Sequence, residues 1–116
     1  MTRLANEKGA LDISIIFIGE LSSLADYIVL CSGSSDRQVR ATANYVVDEL
    51  KGLGHRPIGV EGLTNGRWVL VDYGDVIFHV FEEDVRRYYD IDGLWADAPR
   101  IDSGVETGEF KEVEQT

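Results

Sequence analysis

The sequence predicts a single α/β domain with a mixed β-sheet and flanking helices. Three observations carry that prediction. Short β-branched apolar runs recur along the chain, at residues 13–18, 26–32 and 57–61 and on both sides of Tyr73-Gly74. One stretch between them, from Ser35 to Leu53, instead repeats its apolar residues at helical spacing. The length of 116 residues suits one domain with a core that needs no staple. Strands separated by helical segments pack as a sheet with helices on its faces.

Each element follows from its residues. Residues 1–11 are a short N-terminal segment, in which 3–10 can supply the last turn of a helix. ISIIFI (13–18) reads as the first strand and ELSSLA as a connection. DYIVLCS (26–32) is nearly all apolar, the pattern of a strand covered on both faces, and Gly33-Ser34 ends it. Ser35 to Gln38 fits a capping box, with Ser35 as N-cap and the Gln38 side chain reaching back. Val39, Ala43, Val46, Leu50 and Leu53 form the buried stripe of the helix; Gly54 stops it and Pro57 blocks its continuation. PIGVE (57–61) is the third strand, and the crossover through the helix makes strands two and three parallel.

GLTNG (62–66) is a turn, and RWVLVD and DVIFHVF follow as an antiparallel hairpin. EEDVRRYYDI (82–91) reads as a short helix, with acids in its first turn and Arg86 and Arg87 later to complement the helix dipole. DGLW (92–95) is a half-helix that drops Leu94 and Trp95 onto the core, with Tyr88 and Tyr89 as further packing residues. The expected domain covers residues 12–99. From Arg100 to Thr116 the chain is polar and acidic, and disorder is expected there.

The hairpin raises the functional question. With Tyr73-Gly74 as central turn residues, Asp72 opposes Asp75, Leu70 opposes Ile77, and Trp68 opposes His79. Alternation then puts these six on one face and Val69, Val71, Val76 and Phe78 on the other, which is wholly apolar and carries the helix. The mixed face admits three readings. Asp72 and Asp75 are turn caps, with Trp68 and His79 as core residues; or the face docks a protein; or the two carboxylates hold a metal for phosphoryl transfer.

Charge weighs among these. Eleven Lys and Arg stand against twenty-one Asp and Glu, a net charge of −10. Such a chain is repelled by nucleic-acid phosphates and suits a basic protein partner. No window offers the ~20 apolar residues of a membrane span, and the N-terminus lacks a signal-peptide core. Cys31 is the single cysteine. It reads as a small core residue, and its solitude fits a reducing cytoplasm. Two His and one Cys are too few for a structural zinc site.

LADYIVLCSGSSDRQVRA (24–41), GRWVLVDYGDVIFHVF (66–81) and YYDIDGLWADAP (88–99) together resemble the ribosomal silencing factor family, also called Iojap-like. The resemblance runs over residues 12–99. It implies a fold similar to that of nucleotidyltransferases, in proteins that are not working enzymes and need no cofactor. It further implies binding to the large ribosomal subunit through its protein L-fourteen, on the face that joins the small subunit. Hindered joining then lowers translation when nutrients run short. The family usually has a longer helix before strand one, which leaves a homodimer contact through that helix open.

The enzyme alternative is a nucleotidyltransferase-like protein using Asp72 and Asp75 as metal ligands. That chemistry is usually supplied by an Asp-x-Asp within one strand and by a phosphate-holding loop. Here the two Asp are three apart across a turn. Gly33-Ser34-Ser35-Asp36 is explained as a helix start, and His55 as a solvated turn residue. The docking reading is therefore preferred. Trp68 and Leu70 supply apolar contact, Asp72 and Asp75 pair with Lys or Arg of the partner, Tyr73 and His79 complete the surface, and Trp95 extends it at the sheet edge.

Overall fold

The apolar runs become strands of one sheet. The computed structural model describes residues 1–101. In chain order it contains α1 (Thr2–Glu7), β1 (Leu11–Phe17), β2 (Tyr27–Gly33), α2 (Asp36–Gly52), β3 (Gly59–Glu61), β4 (Trp68–Asp72), β5 (Val76–Glu82), α3 (Glu83–Tyr89), α4 (Ile91–Leu94) and β6 (Arg100–Ile101). The strands join in the order β3-β4-β5-β2-β1-β6. Among the described residues only the β2–β5 pair is parallel, so the sheet is mixed as the sequence predicts.

Strand β3 points the same way as β2 but does not touch it. The β4–β5 hairpin lies between them, and β5 takes the place beside β2. The physical reason lies in the residues. β5 has five consecutive buried residues and suits a central position, whereas β3 is three residues long, mostly exposed, and fits an edge.

Helix α2 is built at both ends as its sequence dictates. Ser35, in extended conformation, accepts a hydrogen bond on Oγ from Gln38 N at 3.1 Å. The Gln38 side chain reaches back one residue further than a capping box does. Its Oε1 accepts from Ser34 N at 2.7 Å, while its Nε2 donates to Gly9 O at 2.8 Å and so ties down the end of α1. At the other end Gly54 has φ +91°, Gly54 N donates to Lys51 O and His55 N to Leu50 O. This paired bonding closes the last turn.

The sheet has two apolar faces with different covers. On one, Val69, Val71, Phe78 and Val80 join Val39, Ala43 and Val46 of α2 and Ala5 of α1 in one cluster. On the other, Ile28, Leu30, Ile77 and Phe81 are covered by Val85, Ile91, Trp95 and Ala98 from α3, α4 and the chain after them. Cys31 is fully buried and its thiol is pushed up to about 12 by desolvation.

Several expectations change. The buried stripe of α2 stops before Leu53, which is the C-cap beyond the last helical residue and is 72% exposed. Residues 3–10 supply more than a last turn, since α1 runs from Thr2 and buries Ala5. Arg100 and Ile101 pair with Ile16 and Ile15 of β1, so the fold continues past Pro99. The expected disorder of the tail otherwise lies outside the described residues.

Candidate functional site

The hairpin turn decides where the mixed face sits. The ladder pairs Asp72 with Ile77, Leu70 with His79 and Trp68 with Phe81. Tyr73 N donates to Val76 O at 2.9 Å, so the two central turn residues are Gly74-Asp75, not Tyr73-Gly74. Gly74 has φ +89°, which suits glycine at the first central position of a primed turn. Each strand slides by one residue. A combined shift of two keeps every side chain on its expected face but changes each partner.

The correction removes the expected pair of like charges. Asp72 Oδ1 accepts from Gly74 N at 2.8 Å, so this carboxylate caps the turn. Asp75 lies exposed in the turn itself, off the ladder. Among the described residues, no group of three or more His, Cys, Asp or Glu is placed to hold a metal ion. Tyr73 turns to the other face, where its ring packs on the helix-side cluster and its buried hydroxyl has no hydrogen-bond partner. Burial raises its pKa.

Trp68 and His79 are joined diagonally. Trp68 Nε1–H donates to His79 Nδ1 at 3.1 Å. That acceptor nitrogen must be unprotonated, so the imidazole is neutral with its proton on Nε2. Burial agrees, because desolvation pushes the His79 pKa down to about 4. His79 is 7% exposed and stacks on Phe81, 5.5 Å between ring centres. It is a satisfied core residue that orients Trp68.

From there a chain of rings runs out to solvent. Trp68 packs 5.0 Å from Phe81 and 5.0 Å from Tyr89, and Tyr89 meets Tyr88 edge-on at 5.0 Å. Tyr89 is 55% exposed, Tyr88 82% and Leu94 70%. Leu70 and Trp95 are half-buried against the second cluster. The structure thus brings Trp68 against Tyr89, which meets Tyr88; Leu70 lies on the same sheet face as Trp68, and Leu94 and Trp95 follow on the adjoining α4 segment.

Tyr88, Tyr89 and Leu94, expected in the core, are all exposed. The tyrosine hydroxyls and the short length of α3 make solvent exposure of part of this run admissible, but the spacing alone does not select which residues face out.

Arg86, expected to complement the helix dipole, is only 9% exposed and does more than that. Its guanidinium forks onto Asp92, Nε to Oδ2 and Nη2 to Oδ1, both at 3.0 Å. Its Nη1 donates to Asp12 O at 2.7 Å and to Ser32 Oγ at 3.0 Å, and its Nη2 to Ser14 Oγ at 3.4 Å. The bond from Arg86 holds the Asp92 carboxyl below the usual carboxylate range.

The arrangement is an exposed aromatic ridge running out from the Trp68–His79 bond. The chain matches the family model described as "Ribosomal silencing factor during starvation" over residues 1–116. It is 43% identical over 97 residues to a ribosomal silencing factor of Bacillus subtilis, covering 84% of this chain and 82% of that protein. It is 30% identical over 98 residues to the mouse "Mitochondrial assembly of ribosomal large subunit protein 1", covering 82% of this chain and 43% of that one. A crystal structure of a Chromobacterium violaceum protein, 41% identical, superposes with a TM-score of 0.80 over 82% of this chain and 79% of its own. On this evidence the chain belongs to the ribosomal silencing factor family.

Proposed function

We propose that this chain binds the large ribosomal subunit through its protein L-fourteen, blocks association with the small subunit and represses translation under nutrient limitation. The observation that carries the proposal is the ridge of Trp68, Tyr89 and Tyr88 standing out from an otherwise ordinary sheet face. Aromatic residues of this kind are favoured anchors of protein interfaces. Family membership supplies the ribosomal context, and the mouse relative's name supplies the large subunit. The net charge of −10 suits a basic partner and opposes direct binding of nucleic acid. Among the described residues no helix is long and apolar enough to cross a membrane, which fits action in the cytoplasm.

In this reading Trp68, Leu70, Tyr88, Tyr89, Leu94 and Trp95 form the contact. His79 holds Trp68 in place. Asp75 offers a rim charge, and Asp72 and Tyr73 serve the turn that ends the face. No residue performs chemistry in this reading, and a homodimer is compatible with it.

A sucrose gradient of tagged protein with separated subunits tests the proposal. Co-sedimentation with the large subunit alone is expected. Sedimentation with the small subunit, or with neither, would contradict it.

A further inference from the structure

The aromatic ridge stands on a segment that should not hold its own shape. Helix α3 has seven residues and α4 four, both far shorter than a helix that persists alone. Between them Asp90 adopts a left-handed conformation, φ 48° and ψ 51°, which non-glycine residues rarely use. Apolar anchorage is thin. Val85, Ile91 and Trp95 are only partly buried, while Tyr88, Tyr89 and Leu94 face solvent. The sheet core, by contrast, rests on residues of β1, β2, β4, β5 and α2.

One side chain bridges these parts. Arg86, on α3, holds α4 through Asp92, β1 through the Asp12 carbonyl and Ser14, and β2 through Ser32. Arg100 adds a second, longer bond to Asp92 at 3.5 Å. The Arg86 geometry is the planar fork that suits a carboxylate, and lysine cannot reproduce it.

We propose that Arg86 is a positioning residue for docking: with Asp92 it latches the α3–α4 segment to the sheet so that Tyr88, Tyr89 and Leu94 are presented beside Trp68. This rests on the docking reading above. Releasing the latch lets the ridge move while the sheet stays folded, so binding is lost before stability is.

The test compares full-length wild type, Arg86→Lys, Asp92→Asn and Tyr89→Ala for affinity to purified large subunits. Amide hydrogen exchange is followed in the same proteins. Asp92 is one-third exposed, so Asp92→Asn keeps the shape and removes the charge even if the Arg86 variant folds poorly. The latch variants are expected to bind about tenfold more weakly, the weight of one charged hydrogen bond. Exchange should quicken across residues 83–98 while β2 and β5 stay as protected as in wild type. Unchanged affinity in folded latch variants, with Tyr89→Ala weakened, would overturn the proposal. So would exchange that rises equally in β2 and β5, since Arg86 would then be a general stabiliser. If Tyr89→Ala binds as wild type does, the docking reading itself falls and the role of Arg86 falls with it.

Discussion

His79 shows how a polar ring is accommodated in a sheet interior. The alternation of β4 and β5 places it on the face of Trp68, and this much was legible from the period of two. Its diagonal bond to Trp68 was not, because the turn register sets which residues meet. The pairing has a pH signature. The folded-state pKa lies near 4, below the ordinary value of 6.5, so the unfolded chain takes up the proton first. Stability from this group is complete above pH 6.5 and is lost as pH falls toward 4. At about 1.4 kcal/mol per pH unit the loss reaches roughly 3 kcal/mol. Chemical denaturation of wild type and His79→Gln across that window should show the difference between them narrowing toward acid pH. A constant difference would mean that His79 does not titrate as its burial requires.

At the scale of elements, the sequence was most readable where backbone chemistry is local. Ser35 and Gly54 bound α2 as expected, because capping depends on neighbours a few residues away. The hairpin was half readable. Tyr73-Gly74 and Gly74-Asp75 both look like turns, and the choice falls to a glycine at positive φ together with a cap from Asp72. Arg86 was not readable at all. Its partners are 54 to 74 residues away in β1 and β2, apart from Asp92, and no local pattern announces them.

Glycine 62 offers an element-level test. It has φ +90°, and a Cβ there would strike the Trp68 carbonyl at the start of β4. Gly62→Ala should therefore cost about 1–3 kcal/mol from backbone strain alone. Gly52→Ala, at the end of α2 with open space around it, should instead stabilise by about 0.5–1 kcal/mol. Urea melts of the two variants decide the matter, and equal effects would contradict the strained turn.

The whole molecule divides its sheet between two tasks. One face is sealed by α1 and α2 and supplies the core. The other is covered over Ile28, Leu30 and Ile77 by the chain from α3 to Ala98, which leaves Trp68 at the margin beside Tyr89. The fold class could be read from run lengths and periods, since those reflect burial directly. The aromatic ridge could be read only in part, because exposure of Tyr88, Tyr89 and Leu94 depends on how a short segment lies over the sheet.

The most direct test of the central claim is a subunit-joining assay with the double variant Tyr89→Ala/Leu94→Ala. Both side chains are more than half exposed, so the fold should survive, with circular dichroism as the control. Interface anchors commonly cost ~2 kcal/mol or more when truncated, which is over tenfold in affinity. Wild-type protein should block joining, and the folded double variant should need at least about ten times the concentration to do so. A folded double variant that blocks joining as well as wild type would show that the ridge is not the docking surface.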